Sequence, residues 1–335
     1  MRVWQIKAPG SVALAELREN ITPDTVKIKL TKCMLAASDM QNVRGSESAP
    51  YPITPGRLGV GLVSESECEG FKRGQRVAIE PYVACGECAA CRVDPRQCGN
   101  IRIMGRNCDG LLRDFVVLNK YNLYALPEQV KDGEAIFIDY IAMALKVLDR
   151  LELEPGQHIA ILGASPIGMV VASLALYYHC VPILIDGQQE RLDAARDNGV
   201  YYTINSGLSD INKRVLEITG GRMCERSVFC IAGGESPQKA IGLTMHGGKG
   251  AYAGFQFQSE TCSVNVIDLV IKSMDLIGIS DGRGFTARAI HMLANSVVNL
   301  KALAAVTVPF DAAGDALLRA AAGNIMAGML INVEI

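Results

Sequence analysis

Histidine is scarce and unevenly placed in this chain of 335 residues. There are four histidines, and all of them follow residue 157: His158, His179, His246 and His291. The first 157 residues therefore offer no imidazole to a metal ion. A metal site in that part of the chain would have to be built mainly from cysteine, of which the chain has eleven.

The chain also lacks an excess of charge and a long apolar run. Its formal net charge is −2, which gives no electrostatic reason to expect nucleic acid or an anionic membrane as a partner. No apolar run reaches the roughly 18 residues of a membrane span, and the sequence starts without a recognisable secretory leader. We therefore expect a cytoplasmic protein that acts on a small molecule.

The most informative stretch lies in the middle of the chain, where a glycine turn joins two apolar runs. The run Ile159–Leu162 predicts a buried strand of a parallel sheet, and Gly163 then turns the chain. Pro166 suits the first position of a mostly buried helix, because its missing N–H would be unpaired there in any case. A second apolar run, Val181–Ile185, ends in Asp186. This order predicts a βαβ unit that binds a dinucleotide, with the pyrophosphate at the helix N-terminus and the carboxylate on the adenosine ribose.

The glycine motif of this unit is incomplete. Gly163 and Gly168 hold its first and third places, whereas Ser165 stands where a second glycine usually lets the backbone approach the phosphates. Serine is a mild replacement, because it is small and can donate a hydrogen bond. A carboxylate at Asp186 repels a 2′-phosphate, and no basic residue follows it before Arg191, so we expect NAD(H) rather than NADP(H).

The two parts of the chain differ in their patterns. Up to about residue 130, short β-like runs are separated by glycine and proline, which predicts a small irregular β-barrel. From about residue 134 to residue 281, apolar runs alternate with helical segments, which predicts a doubly wound parallel sheet. The strand candidates are residues 26–31, 59–63, 75–79, 201–204, 227–232, 251–255, 276–278 and 329–333, and further helices are expected at 236–245 and 287–297.

Four cysteines lie within fourteen residues: Cys85, Cys88, Cys91 and Cys98. Two-residue gaps let successive thiolates converge on one tetrahedral ion, and four thiolates leave no open position for water. The spacing therefore predicts a structural zinc site, the alternative being four buried or reactive thiols. In a protein expected to be cytoplasmic, it favours metal over disulfide bonds.

Several segments together resemble the medium-chain, zinc-type alcohol and polyol dehydrogenases over the full length of the chain. They are the four-cysteine lobe, residues 109–117, Leu126-Pro127, Pro155-Gly156 and the glycine-rich residues 247–254. The chain departs from the family by leaving six residues, rather than seven, between Cys91 and Cys98.

This resemblance implies an α/β fold with a GroES-like irregular β-barrel domain and a Rossmann domain with a doubly wound parallel sheet. The implied domains are residues 1–133, which include the zinc lobe at 85–98, residues 134–281, which bind the nucleotide, and residues 282–335, which return to the first domain. The resemblance also suggests a homodimer or homotetramer assembled through the nucleotide domain. Two further cofactor contacts are expected where a later strand ends and where the glycine-rich segment ends. The full set of expected contacts is Gly163, Ser165, Pro166, Ile167, Gly168, Asp186, Arg191, Ala232 and Gly254.

The second zinc site of this family, which is catalytic, lacks its ligands in this sequence. The family's cysteine ligand corresponds to Ala36, its histidine ligand to Arg57 and its neighbouring glutamate to Leu58. Cys33 and Cys68 remain in the same region, but isolated cysteines on strands are usually core residues. We therefore expect one structural zinc ion per chain and no catalytic metal.

Other side chains then have to act on the substrate oxygen. Arg57 would polarise a carbonyl or stabilise an alkoxide, or bind an anionic group of the substrate, unless it only forms an ion pair. Asp139 corresponds to an acidic residue of the family's cleft and is the expected partner of Arg57. Ser38 corresponds to the family's proton-passing hydroxyl, the alternative being a local turn or cap. Lys146 is expected to be an acid or base, or else an exposed helical lysine, and Tyr140 is a weaker candidate.

These features predict an NAD(H)-dependent oxidoreductase that moves a hydride to or from a small polar alcohol, polyol or carbonyl compound. One alternative is a zinc-independent reductase of the same superfamily that delivers hydride to the β-carbon of an enone or iminium. Another is a catalytically silent NAD-binding protein. The sequence does not identify the substrate, although Arg57 suggests a polar and possibly anionic one.

Overall fold

A computed structural model describes residues 1–45, 49–230, 237–254, 263–300, 303, 306–323 and 329–333. The chain divides into two compact units, Met1–Asp139 together with Ala305–Ile335, and Tyr140–Ala304. The domain boundaries expected from the sequence, after residues 133 and 281, both lie earlier in the chain than these observed boundaries. No helix among the described residues is long and apolar enough to cross a membrane.

The first unit consists mainly of strands, and the second unit combines strands and helices. The strands are β1 Arg2–Ala8, β2 Ser11–Glu16, β3 Thr25–Leu35, β4 Leu58–Ser66, β5 Arg76–Ile79, β6 Tyr82–Val83, β7 Arg102–Ile103, β8 Phe115–Asn119, β9 Leu123–Ala125, β10 His158–Leu162, β11 Val181–Asp186, β12 Tyr202–Asn205, β13 Cys224–Phe229, β14 Thr244–Ala253, β15 Asp275–Ile279, β16 Val306–Pro309 and β17 Met329–Asn332. The helices are α1 Ala37–Arg44, α2 Ala89–Val93, α3 Asp132–Ala135, α4 Ile138–Leu151, α5 Pro166–Tyr177, α6 Gln189–Asp197, α7 Ile211–Ile218, α8 Pro237–Leu243, α9 Val266–Lys272, α10 Thr286–Ala294 and α11 Ala313–Ala322.

The first unit is built on a mostly antiparallel sheet with the order β16-β17-β3-β4-β5-β9, and β8 also pairs with β3. Strand β3 alternates apolar and charged residues, so Val26, Ile28 and Leu30 are buried in the core. The register of β3 and β4 pairs Met34 with Leu58. The end of β3 and the start of β4 therefore lie side by side, and the chain segments next to them form the candidate site of this unit.

The second unit contains a six-stranded sheet with the order β12-β11-β10-β13-β14-β15, in which every described pair is parallel. Strand β10 lies between β11 and β13, and its residues Ile159–Leu162 are buried. Helix α5 is buried on nearly all sides, as its apolar sequence requires. The predicted βαβ unit is confirmed as β10–α5–β11, and the carboxyl end of β10 leads into the glycine turn.

The region after β13 differs from the prediction. Helix α8 ends at Leu243 and β14 begins at Thr244, so the predicted helix 236–245 is too long at its C-terminal end and the predicted strand 251–255 starts too late. Residues 244–250 are rich in glycine and lack the apolar pattern of a buried strand. A Cβ at Gly248 would lie 2.8 Å from the carbonyl oxygen of Glu225, so glycine lets β14 extend beside β13. Ala232 lies outside the described residues.

Candidate functional site

Four thiols in the loop between β6 and β7 converge on one point. Their Sγ atoms all lie within 4.8 Å of one another, with separations of 3.8 Å for Cys85–Cys91, 3.4 Å for Cys88–Cys91, 3.5 Å for Cys85–Cys98 and 4.0 Å for Cys88–Cys98. A tetrahedral zinc ion with Zn–S bonds of about 2.3 Å holds its sulfurs about 3.8 Å apart. The four cysteines therefore fit a zinc ion. A search of the described residues for cysteine, histidine and carboxylate side chains close enough to hold a metal ion finds this group of four cysteines.

A short turn compensates for the missing residue between the third and fourth cysteines. The Asp94 carboxylate accepts a hydrogen bond of 3.0 Å from the backbone N–H of Arg96 and caps a 3-10 turn at Pro95–Gln97. This turn brings Cys98 back to the other thiols. Backbone N–H groups of Glu87 and Cys88 and the Cys98 thiol lower the pKa of Cys85 to about 6, which favours the thiolate form that zinc binds.

The glycine turn after β10 has the geometry of a dinucleotide-binding loop. Gly163 has a φ of +107°, in the left-handed region that favours glycine. A Cβ at Gly168 would overlap the carbonyl oxygen of Gly163, so only glycine lets α5 start this close to the strand. Ser165 is the N-cap of α5, where its Oγ accepts from the Gly168 N–H at 3.3 Å and donates to the Cys230 carbonyl at 3.0 Å. The serine hydroxyl therefore forms its hydrogen bonds within the protein. A ligand at this turn would be bound by backbone N–H groups.

The two remaining features of the turn fit a dinucleotide. The backbone N–H groups of Ser165 and Ile167 make no hydrogen bond to any described protein group, and they lie at the N-terminus of a twelve-residue helix, where anions bind. Asp186 accepts from the N–H groups of Ala164 and Gln188, both at 2.8 Å, which fixes its carboxylate at the end of β11. Its oxygens keep further lone pairs for ribose hydroxyls.

Two other expected cofactor contacts lie near these residues. Gly254 has a φ of +109°, and a Cβ there would lie 3.9 Å from Cδ1 of Ile167. Arg191 lies 3.8 Å from the Asp186 carboxylate. Both positions are compatible with cofactor binding, and their role stays a prediction.

In the first unit, Arg57, Tyr82 and Asp139 form a closed hydrogen-bonded cluster. Nη2 of Arg57 donates to Oδ2 of Asp139 at 2.9 Å and to the Tyr82 hydroxyl at 3.0 Å, and that hydroxyl donates to Oδ1 of Asp139 at 2.7 Å. The Arg57 and Asp139 side chains are only 11% and 5% exposed. The ion pair expected from the sequence is therefore present, and the Tyr82 hydroxyl forms a hydrogen bond with each of its two members.

Asp39 braces the backbone beside this cluster. Its fully buried carboxylate accepts from the N–H of Ala36 at 2.6 Å and from the N–H of Gly56 at 2.7 Å. These bonds tie the start of α1 to the residue that precedes Arg57. Burial raises the pKa of Asp39 to about 7, against the lowering effect of its two backbone bonds and of Arg57.

Ser38 lies within this braced segment. Its Oγ is buried and makes no hydrogen bond to a described protein group, and the N-cap of α1 is Ala36. The alternative of a local turn or cap is therefore wrong for Ser38. A buried hydroxyl without a protein partner is suited to bind a substrate oxygen.

Lys146 is held in a different cluster in the second unit. Its Nζ donates to Oδ1 of Asp281 at 2.8 Å, and the other carboxylate oxygen, Oδ2, accepts from the Ser280 hydroxyl and from Nη2 of Arg283. Burial opposes ionisation of Asp281, but the bonds from Lys146, Arg283 and Ser280 lower its pKa to about 2. Lys146 is 23% exposed, so the alternative of an exposed helical lysine is wrong. Its role as an acid or base stays a prediction, as does that of Tyr140.

The sequence-based residues thus fall into three groups: the four cysteines, the residues around the glycine turn, and Arg57 with Asp139 and Ser38. Sequence reasoning missed Tyr82 and Asp39. Asp39 stands next to Ser38, but nothing in the sequence indicates that its carboxylate is buried against two backbone N–H groups. Tyr82 lies three residues before the first cysteine, where nothing in the local pattern separates a functional tyrosine from a core one.

Two family profiles match the chain. One is described as the alcohol dehydrogenase GroES-like domain and matches residues 22–128, and the other is described as zinc-binding dehydrogenase and matches residues 166–295. A zinc-type alcohol dehydrogenase-like protein from Haemophilus influenzae, itself uncharacterized, is 27% identical over 91% of this chain and 91% of its own. The sorbitol dehydrogenase of Bacillus subtilis is 26% identical over 90% of this chain and 88% of its own.

Solved structures show the same fold. The alcohol dehydrogenase RspB from Escherichia coli CFT073, bound to NADH, superimposes with a TM-score of 0.87 at 23% identity, over 99% of both chains. A zinc-binding dehydrogenase from Sinorhizobium meliloti 1021, bound to NADP, superimposes with a TM-score of 0.89 at 20% identity, over 99% of this chain and 98% of that one.

The chain belongs to the medium-chain, zinc-type alcohol dehydrogenase family, and it is a nicotinamide-dependent oxidoreductase. The expected combination of a GroES-like domain and a Rossmann domain is confirmed.

Proposed function

We propose that this protein transfers a hydride between NAD(H) and a small polar alcohol, polyol or carbonyl compound without a catalytic zinc ion. The observation that carries the proposal is the hydrogen-bonded cluster of Arg57, Tyr82 and Asp139. By sequence resemblance, Arg57 corresponds to the family's histidine ligand. Sorbitol and L-threonine dehydrogenases among the relatives support a polar substrate.

In this proposal, the side chains of the cluster take over the task of a Lewis acid. The guanidinium of Arg57 keeps its charge at all physiological pH values, and Asp139 and Tyr82 fix its orientation. A fixed cation in a partly buried site stabilises the negative charge that develops on the substrate oxygen. The Ser38 hydroxyl, which has no described protein partner, would pass the proton to or from that oxygen.

The glycine turn and Asp186 support NAD(H) as the cofactor, which supplies or accepts the hydride when it is bound. In this proposal the Asp186 carboxylate binds the adenosine ribose, and two backbone N–H groups fix it at the end of β11. A phosphate at that position would meet a fixed negative charge. Arg191 beside Asp186 offsets part of this repulsion, so the preference is best measured as a ratio of NADH to NADPH affinities.

The four cysteines would hold a structural zinc ion. Four thiolates fill a tetrahedral shell, so such an ion stabilises the loop between β6 and β7 and binds no substrate. Thiolate ligands require a reducing compartment, which supports the cytoplasm as the location.

We also propose a homodimer formed through the second unit, or a homotetramer that contains this dimer. Helix α9 exposes Val266, Ile267, Val270 and Ile271, each more than half accessible to solvent. Strand β15 is the end strand of the described parallel sheet. An exposed apolar helix face and the end strand of a sheet are both suited to pairing with a second copy. Light scattering should give a multiple of 36.0 kDa, reduced by Ile271→Glu.

The first test is to count zinc ions on purified protein that has been washed with chelator. The proposal expects one zinc per chain and NADH-linked turnover of polar carbonyl compounds. Arg57→Leu should lower kcat/KM about a hundredfold, the typical cost of losing an oxyanion donor. Tyr121→Phe, which changes an exposed tyrosine of the same unit, is the matched control. Two zinc ions per chain would contradict the zinc-independent mechanism.

The same screen separates the two alternatives. Turnover restricted to enones or iminium compounds would favour hydride delivery to a β-carbon. Tight NADH binding without turnover of any compound would favour a catalytically silent protein.

A further inference from the structure

The second unit contains a cavity at the C-terminal ends of helices α4 and α5, beside α10. We call it the helix-end cavity. It has a volume of about 240 Å³, and its lining combines three leucines and two acidic residues from the end of α4 with Tyr178 and Arg288. Sites for drug-sized ligands measure roughly 300–1,000 Å³. The helix-end cavity is therefore of a size for a smaller molecule.

The helix-end cavity lies at the opposite edge of the parallel sheet from the glycine turn. Helix α5 starts at that turn, at the carboxyl end of β10, and ends twelve residues later next to Tyr178. A helix of this length spans about 18 Å. A ligand in the helix-end cavity would therefore leave the dinucleotide site free.

The two helix ends that form the cavity are fixed by their backbones. Each is followed by a residue in the left-handed conformation, Glu152 with a φ of +49° after α4 and His179 with a φ of +59° after α5. After α4, the Leu153 N–H donates to the Leu148 carbonyl at 3.3 Å, which folds the chain back in a Schellman motif. The Gly156 N–H donates to the His179 carbonyl at 2.8 Å and ties the two ends together. The cavity is thus preformed, which lowers the entropy cost of binding a ligand.

The floor of the helix-end cavity is apolar. Leu145 and Leu148 stand three positions apart on α4, so they lie on the same face of that helix. Both are almost completely buried, and the half-buried Leu153 lines the cavity with them. An aliphatic side chain placed on this floor would lose apolar surface to the protein, which favours binding.

The polar part of the cavity carries charges of opposite sign. Nη2 of Arg288 donates to the Tyr178 hydroxyl at 2.7 Å, and the guanidinium lies 6.0 Å from the centre of that ring. The Glu152 carboxylate pairs with Lys249 at 2.8 Å. Asp149 and Arg288 line the same cavity, yet neither forms an ion pair with any residue that the structure describes. A ligand with one cationic and one anionic group would match both of them.

We propose that the helix-end cavity binds a free α-amino acid with an aliphatic side chain, such as L-leucine. Asp149 binds the α-ammonium group, Arg288 binds the α-carboxylate, and the leucine floor holds the side chain. A zwitterion suits the cavity because the charges of Asp149 and Arg288 cancel, whereas a simple cation or anion would leave one of them unmatched. No group of this site takes part in hydride transfer, so the proposal does not depend on the proposed function.

The test titrates four probes by calorimetry into the full chain saturated with NADH. They are L-leucine, leucinol, which lacks the carboxylate, isocaproate, which lacks the ammonium group, and N-acetyl-leucinamide, which lacks both charges. The variants are Asp149→Asn and Arg288→Gln, which change exposed side chains and leave the core intact. The matched control is Arg150→Gln, because Arg150 is an exposed arginine of α4 outside the lining of the cavity.

The proposal expects L-leucine to bind more tightly than the other three probes. Asp149→Asn and Arg288→Gln should each weaken leucine binding about fivefold, the effect of losing one exposed charge pair. The effects on the other probes should be selective. Arg288→Gln should leave leucinol binding unchanged, Asp149→Asn should leave isocaproate binding unchanged, and Arg150→Gln should affect neither.

Several results would overturn the proposal. Undetectable binding of L-leucine would show that the cavity is no amino-acid site. Leucine binding that neither variant weakens, or that Arg150→Gln weakens equally, would place the amino acid elsewhere. Binding of N-acetyl-leucinamide as tight as that of L-leucine would mean that the charges do not contribute, and it would favour docking of a peptide segment instead.

Discussion

The four-cysteine lobe and the segment around Arg57 both correspond, by sequence resemblance, to metal-binding segments of the family, but among the described residues only the lobe brings together side chains that could hold a metal ion. In the lobe, four thiols stand 3.4–4.0 Å apart in adjacent pairs, as a zinc ion requires. Around Arg57, the fixed charges are matched by protein groups, Asp139 and Tyr82. Both regions meet the same demand, which is that a buried charge needs a partner of opposite sign. In the lobe the proposed zinc ion would meet it, and around Arg57 the ion pair with Asp139 meets it.

The largest expected effect comes from removing one ligand of the lobe. Cys98→Ala should reduce the zinc content from one per chain to nearly none, as measured by plasma mass spectrometry. Its free energy of unfolding should fall by on the order of 5 kcal/mol, because zinc binding contributes directly to folding. Cys108→Ala, a half-buried cysteine outside the lobe, should keep its zinc. A Cys98→Ala variant with a full complement of zinc would mean that the metal lies elsewhere.

The next effect tests the buried ion pair. Asp139→Ala leaves the guanidinium of Arg57 buried without this carboxylate, so the free energy of unfolding in urea should fall by about 3–5 kcal/mol. The control is Asp193→Ala, which breaks an exposed ion pair with Arg196 and should cost about 1 kcal/mol or less. Equal losses in both variants would show that the ion pair of Arg57 and Asp139 contributes no more to stability than an exposed ion pair.

The sequence predicted the regular parts of both regions and missed the tertiary contacts. The lobe was predictable because zinc ligands follow one another at fixed spacing. The βαβ unit was predictable because Gly163, Gly168 and Asp186 each serve a local geometric need. Tyr82 is 57 residues away from Asp139, and only the folded chain brings them together. Residues 244–250 of β14 were missed because glycine, which is rare in strands, is required there by a close neighbour.

A third effect concerns pH, and it follows from the brace beside Arg57. Because burial raises the pKa of Asp39 to about 7, the folded protein retains a proton there that the unfolded chain has released above about pH 4. This carboxyl group therefore makes the free energy of unfolding fall as the pH rises from about 4 to about 7, by up to about 1.4 kcal/mol per pH unit. Asp39→Asn should remove this slope.

The measurement is urea unfolding of wild type and Asp39→Asn at half-unit intervals across that range. Other carboxyl groups and histidines titrate in the same window, so the difference between the two proteins is the relevant quantity. Parallel curves would show that Asp39 is ionised at all these pH values, with its two backbone bonds outweighing the cost of burial.

The smallest effect concerns Ser165, where the chain departs from the usual glycine motif. Ser165→Gly restores the usual second glycine and removes the Oγ bonds to the Gly168 N–H and the Cys230 carbonyl. The cost should be about 1 kcal/mol of stability, since glycine is itself an acceptable N-cap and one buried hydrogen bond is lost. The affinity for NADH, measured by fluorescence titration, should change less than about threefold, because the turn offers the phosphates its backbone N–H groups in either case. Tenfold tighter NADH binding by the glycine variant would instead mean that the serine side chain obstructs the approach of the phosphates. The departure from the usual glycine motif would then limit how closely the turn can bind a dinucleotide.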